Sequence, residues 1–122
     1  MYLLDTHILL WWLSNDKKLT KRLRDCISSP QNNIFVSSVS VWEIVIKKSL
    51  NKLKVPDNLK ETLDASDFNV LSMTTEHALC VEHLPLIHHD PFDRLLIAQC
   101  IVEDLVLITS DKVIPQYKIE CF

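Results

Sequence analysis

Apolar positions along this chain fall into short runs of two kinds, and the two kinds alternate. Tyr2-Leu3-Leu4 is a brief run that stops at Asp5-Thr6-His7, after which Ile8 to Leu13 stay apolar over a length more helical than extended. The pattern predicts a strand followed by a helix, with Asp5 at the strand's carboxyl end. Ser14-Asn15-Asp16 ends that helix. A second, basic helix is expected to carry Lys17, Lys18, Lys21, Arg22 and Arg24 around Leu19, Leu23 and Ile27, up to the stop at Ser28-Ser29-Pro30.

Ile34-Phe35-Val36 is β-branched and aromatic and predicts the second strand. Ser37, Ser38 and Ser40 offer N-caps to a helix with Val41, Trp42, Ile44 and Val45, which places Glu43 in its first turn or two. Asn51 is expected to take the left-handed position that closes it. Lys52 to Pro56 then leads to a short helix from about Asp57 to Ala65, and Phe68 to Leu71 forms a third strand. Thr74 caps a helix through Leu84. Leu105 to Ile108 is a fully apolar run fit for a central parallel strand, ending in Thr109-Ser110-Asp111. Tyr117 to Phe122 suits a last edge strand.

The best specified helix lies between the one capped by Thr74 and the Leu105–Ile108 run. Asp90 is a good N-cap, Pro91 fits the first helical position, where a missing N–H costs nothing, and Leu95, Leu96, Ala98, Ile101 and Val102 recur at helical spacing. Asp93 falls in its first turn, where a carboxylate is also favoured by the helix dipole alone. Strands that alternate with helices imply parallel β-α-β units, hence an α/β fold: a three-layer α/β/α sandwich with a mostly parallel central sheet, formed by residues 1–122 as a single domain. Ligands bind such sheets beyond the carboxyl ends of the strands. Asp5 and Asp111 follow strands, and Glu43 and Asp93 open helices, so all four acids are expected to converge on one rim.

Composition narrows the chemistry. The chain contains no glycine, which removes the dinucleotide fingerprint and the P-loop, both of which need glycine for tight turns and close phosphate approach. Its net charge of −3 argues against a non-specific grip on a polyanion, so nucleic-acid binding requires bound cations. Cys26, Cys80, Cys100 and Cys121 form no C-x-x-C pair and are expected to be buried thiols. No apolar run approaches the roughly 20 residues of a membrane span, and no signal peptide is legible, so a cytoplasmic protein is expected.

Clustered ionised carboxylates repel one another unless some are protonated or a hard cation neutralises them. Oxygen ligands of this kind suit Mg²⁺ or Mn²⁺. The segments Leu-Leu-Asp-Thr-His, Ser-Ser-Val-Ser-Val-Trp-Glu-Ile, His-His-Asp-Pro-Phe-Asp-Arg-Leu-Leu-Ile-Ala-Gln and Ile-Thr-Ser-Asp-Lys resemble, in order and spacing, the acidic motifs of PIN-domain ribonucleases, in particular the VapC-type toxins of type II toxin–antitoxin systems. The resemblance implies Asp5, Glu43, Asp93 and Asp111 as catalytic, metal-binding acids, with Thr6 and Ser110 as hydroxyl helpers. It further implies Mg²⁺- or Mn²⁺-dependent cleavage of RNA (tRNA, rRNA or mRNA) and neutralisation by a cognate antitoxin.

Other residues carry plainer expectations. His88 and His89 could be ligands or substrate contacts, but loop histidines are more often exposed polar groups; Asp90 is read as a cap, Arg94 as a phosphate contact or a member of a local ion pair, and Lys17 to Arg24 as a solvated face that could also track RNA. Trp11 and Trp12, on adjacent helical positions, are expected not to share one core, which reserves one for an interface with a second copy, giving a homodimer, or with an antitoxin helix. Two rival functions use similar acids: a phosphoacceptor signalling domain, which wants two adjacent acids after the first strand, and a haloacid-dehalogenase-like phosphatase, which wants Asp-x-Asp. Tyr2 to His7 supplies only Asp5. A PIN-like domain that binds RNA or a partner without cutting is the non-enzymatic alternative.

Overall fold

The structure, a computed structural model, describes residues 1–53 and 55–122. Lys54, in the connection read between two helices, lies outside the described residues. Four strands, β1 (Tyr2–Leu4), β2 (Ile34–Ser37), β3 (Asn69–Leu71) and β4 (Val106–Ile108), form one all-parallel sheet in the order β3-β2-β1-β4. The helices are α1 (Thr6–Leu13), α2 (Lys21–Ser28), α3 (Ser38–Ser49), α4 (Leu59–Ala65), α5 (Thr75–Cys80) and α6 (Pro91–Glu103).

Alternation along the strands divides the core in two. Leu4, Ile34, Val36 and Ile108 pack with Ile8, Leu9, Leu23, Ile27 and Ile44 on one face of the sheet. Leu3 and Leu107 pack with Leu95, Leu96, Ile97, Cys100 and Tyr117 on the other. Successive side chains of a strand point to opposite faces, so a strand covered on both sides must be apolar throughout, which is why β1, β4 and Ile34–Val36 of β2 read as unbroken runs, while the edge strand β3 carries Asn69 and an exposed Val70. Three layers result, as the pattern predicts.

Strand order also locates the rim that matters. From β1 the chain steps to β2 and then β3 on one side, while β4 adds to β1 on the other, so the order reverses at β1. The crevice at such a reversal is where doubly wound sheets place ligands. Asp5 and the Thr109–Asp111 turn leave the sheet side by side there, and Asp5 N–H donates to the Ile108 carbonyl at 3.0 Å.

Several expected boundaries shift, each for a local reason. α2 begins at Lys21 and not near Lys17, because the Asp16 side chain accepts the Lys18 N–H at 2.9 Å in a turn and Thr20 then caps the helix. α4 begins at Leu59. The helix capped by Thr74 gives way after Cys80 to a 3-10 turn, Val81–His83. The edge strand expected over Tyr117–Phe122 is absent: Ile114–Tyr117 is a 3-10 turn, Lys118 is left-handed at φ 59°, and the tail touches β4 through one parallel bridge, Leu107 to Cys121. Left-handed residues also close other turns. Asn51 does so as expected, as do Asn15, Asp67 and Asp104, in a chain without glycine.

Trp11 and Trp12 are both half-buried and both pack against the first core, Trp12 with Phe68 at 6.1 Å between rings and Trp11 with His7 at 6.4 Å. The expectation that adjacent positions keep one ring off the core fails because the segment before β3 wraps round to meet α1. The exposed tryptophan is Trp42, at 55%. Cys26 and Cys100 are buried, while Cys80 and Cys121 are partly exposed; all four are free thiols. Among the described residues no helix is long and apolar enough to cross a membrane.

Candidate active site

Asp5 is the N-cap of α1. Its Oδ1 accepts the N–H groups of His7 at 2.7 Å and Ile8 at 3.3 Å, and its Oδ2 accepts the Thr109 hydroxyl at 2.5 Å. Burial nevertheless pushes this carboxyl above its ordinary value, against those donors. The cap therefore explains where Asp5 sits without neutralising it.

Glu43 lies in the second turn of α3 and is buried. The Thr6 hydroxyl donates to its Oε1 at 2.7 Å, and Lys47, one turn on, donates to its Oε2 at 2.5 Å. Burial pulls the Lys47 ammonium down, but Glu43, Asp90 and Asp93 together outweigh this and raise it. A fixed cation thus belongs to the site. The i, i+4 spacing from Glu43 to Lys47 was a signal available in the sequence.

Asp93 is the third residue of α6. Asp90 caps that helix, its Oδ1 accepting from Phe92 and Asp93 N–H at 2.8 and 3.2 Å. Asp93 is left with a carboxyl that burial raises to about 7, reinforced by the negative charges of Asp90, Asp5 and Glu43 and opposed by His88. Asp111 behaves in the opposite sense. Burial acts to raise it, but N–H donors at Val113 and Ile114, together with His88, hold it below the ordinary carboxylate range.

His88 stands between these two acids, with Nε2 3.1 Å from Asp93 Oδ2 and 3.3 Å from Asp111 Oδ2. Donor atoms of His88, Asp93 and Asp111 lie within 4.8 Å of one another, and Asp5 and Glu43 are not part of that close group. They act on Asp93 through their charge. Sequence reasoning, which favoured an exposed loop group over a ligand or substrate contact for both histidines, did not find this position of His88; His89 is the exposed one. The loop that carries His88 is pinned by Tyr117, whose hydroxyl accepts the N–H groups of Ile87 and His88 at 3.2 and 2.5 Å.

Two further expectations change. Ser110 is exposed, and the hydroxyl bonded to an acid after β4 belongs to Thr109. Arg94 makes no ion pair among the described residues: its guanidinium donates to the carbonyls of Pro85 and Val81 and to the Tyr117 hydroxyl. Of the basic stretch, Arg22 stacks over the Phe122 ring at 4.0 Å and Arg24 donates to the Asp16 carbonyl.

The donor set suits a hard divalent cation. Asp5, Glu43 and Asp90 act on Asp93 through their charge, Asp111 meets it at His88, and Lys47 is paired with Glu43, which leaves an excess of negative charge in partly buried surroundings. Such an excess is relieved by protonation, as the raised Asp93 carboxyl records, or by a cation bound through oxygen.

Solved structures share this fold. VapBC2 from Rickettsia felis, bound to a DNA fragment from its promoter, matches with a TM-score of 0.73 and 17% identity over 99% of this chain and 96% of that one. DNA-bound VapBC from Salmonella typhimurium matches at 0.70 and 17%, over 99% and 96%. A toxin-antitoxin complex from Klebsiella pneumoniae matches at 0.63 and 20%, over 93% and 89%. Comparison with curated proteins gives no match. The sequence model of one family, described as PIN domain, spans residues 2–120, and with that match over nearly the whole length of an all-parallel sheet rimmed by acids, the chain belongs to the PIN domain family.

Proposed function

We propose that this protein is a Mg²⁺- or Mn²⁺-dependent endoribonuclease of the VapC type, the toxin of a toxin–antitoxin pair. The observation that carries the proposal is the gathering of Asp5, Glu43, Asp90 and Asp111 around the half-buried carboxyl of Asp93. Asp93, Asp111, Asp5 and Glu43 would hold the ion. Bound there, it would supply a nucleophilic water and charge for the leaving oxygen of a phosphodiester.

The chain's own residues set the conditions for that chemistry. Thr109 and the first turn of α1 hold Asp5 in one orientation, and Thr6 and Lys47 do the same for Glu43. Lys47 leaves one cation where a phosphate would enter an otherwise acidic rim. Likeness to assemblies of the VapBC kind supports a cognate antitoxin as partner. A homodimer and a cytoplasmic location belong to the same proposal.

The test is cleavage of RNA by the purified chain with Mg²⁺ or Mn²⁺, against the same reaction in EDTA and against Asp93→Asn. Asn keeps the shape and removes the charge that holds the ion, so cleavage is expected to fall by orders of magnitude while the fold persists. Sequencing of RNA 5′ ends after expression without antitoxin identifies the target. Cleavage that continues in EDTA, or in Asp93→Asn at the wild-type rate, refutes the mechanism. A PIN-like domain that only binds would retain RNA without producing new ends.

A further inference from the structure

His88 Nε2 lies 3.1 Å from Asp93 Oδ2 and 3.3 Å from Asp111 Oδ2, and these separations suit two arrangements. In one, the imidazole is a nitrogen ligand beside two carboxylate ligands. In the other, Nε2 carries a hydrogen and donates it to Asp111 Oδ2, with Asp93 Oδ2 close beside it. The far side of the ring decides between them. The backbone N–H of Asp90 donates to His88 Nδ1 at 3.1 Å, so Nδ1 presents a lone pair and the ring hydrogen resides on Nε2. A metal-bound imidazole needs the reverse: the lone pair at Nε2, and an N–H at the other nitrogen aimed at an acceptor. Here an N–H at Nδ1 would meet the N–H of Asp90 head-on.

The ring has little freedom to escape this choice. Its backbone is anchored by the Tyr117 hydroxyl. The direction of the Asp90 N–H is set by Asp90's own role as N-cap of α6. Turning the ring over would put carbon against Asp90 N–H and orphan that donor.

We infer that His88 is a positioning residue and not a metal ligand: its Nε2–H donates to Asp111 and fixes that carboxylate beside Asp93, with or without a divalent ion. The inference rests on the proposed function only in taking Asp93 and Asp111 as the ligands. Each carboxylate oxygen has two lone pairs, so one can accept from His88 while another faces the ion. A glutamine at this position reaches with an amide donor; an alanine does not.

The test begins with the wild-type chain, ¹⁵N-labelled, in a long-range proton–nitrogen spectrum of the His88 ring. Without metal, and again through a Mg²⁺ titration, the hydrogen is expected on Nε2 and the lone pair on Nδ1. A hydrogen on Nδ1 in either condition overturns the inference. Calorimetric titration of Mg²⁺ and Mn²⁺ into His88→Ala should then show both affinities reduced in the same proportion, by about 10- to 100-fold as for other groups that orient ligands, with most of the loss restored in His88→Gln. A distinctly larger loss for Mn²⁺, which values nitrogen more than Mg²⁺ does, marks a lost ligand and also overturns it. Should His88→Ala not fold, the wild-type spectrum and His88→Gln decide the matter. Failure of Mg²⁺ to perturb the Asp93 and Asp111 carboxyl signals would refute the proposed function instead, and the metal-free spectrum would still decide where the His88 hydrogen resides.

Discussion

Thr109 and Asp5 are 104 residues apart in sequence and share a buried hydrogen bond of 2.5 Å between hydroxyl and carboxylate. The same hydroxyl oxygen accepts the N–H of Asp111 at 3.0 Å, so one small side chain ties the ends of β1 and β4 together and orients acids on both. Thr109→Val keeps the shape and removes both bonds. It is expected to lower stability by about 1–3 kcal/mol through the buried groups left unpaired, as read by urea denaturation, with Thr109→Ser close to wild type. Equal midpoints for Val and wild type would show that Thr109 does not support the rim.

Asp93 predicts a pH dependence whose sign is opposite to that of a paired acid. Its carboxyl sits at about 7 in the folded chain against roughly 4 when unfolded. Between those values the native state binds a proton that the unfolded state has lost, so the stability of the metal-free protein should fall as pH rises from about 4 to about 7 and level off above. Asp93→Asn should flatten that slope. Urea midpoints in EDTA across this range check it, and identical slopes in both proteins would contradict the assignment. Asp111, held low, adds stability that is lost only as pH falls below the usual carboxylate range.

Divalent ions should reverse this loss. An ion bound only by the native state at about 100 times its dissociation constant adds about 2.7 kcal/mol, so the melting temperature should rise with Mn²⁺ at pH 7.5 and remain unmoved in Asp93→Asn. Calorimetry or a dye-monitored melt reads this without any RNA. An equal rise in wild type and variant would place the bound ion elsewhere.

Tyr117 offers a test of loop support. Its hydroxyl serves the N–H groups of Ile87 and His88 and one arm of Arg94. Tyr117→Phe should cost about 1–2 kcal/mol and speed hydrogen exchange at the Ile87 and His88 amides before it affects the core strands. Unchanged exchange at both amides would remove Tyr117 from the positioning of His88.

The places of the four acids in the fold were legible because what marks them is local: Asp5 and Asp111 follow apolar runs, Glu43 follows the serine caps of α3, and Asp93 follows an Asp-Pro helix start. The groups that complete the site are set by longer connections. His88 owes its position to Tyr117, which lies 29 residues further on, and no spacing rule links the two. Thr109 displaces Ser110 as the bonded hydroxyl because pleating turns only one of two adjacent residues toward Asp5. The last strand was misread because Tyr117 to Phe122 has extended-chain composition, whereas the chain bends at Lys118 into a left-handed turn that side-chain pattern does not encode.

Those left-handed turns bear on the denatured chain as much as on the native one. A glycine at Asn15, Asn51, Asp67, Asp104 or Lys118 would enter the turn without steric cost, yet would widen the range of conformations open to the unfolded polypeptide, a loss of roughly 0.4–1 kcal/mol. Against this stands about 1–2 kcal/mol for holding a residue with a Cβ at positive φ. Asn and Asp recover part of that by bonding to their own backbone, which a lysine cannot do. Lys118 is therefore the one of the five where glycine should raise stability, and the other four show how a polypeptide can turn sharply while keeping its disordered ensemble small.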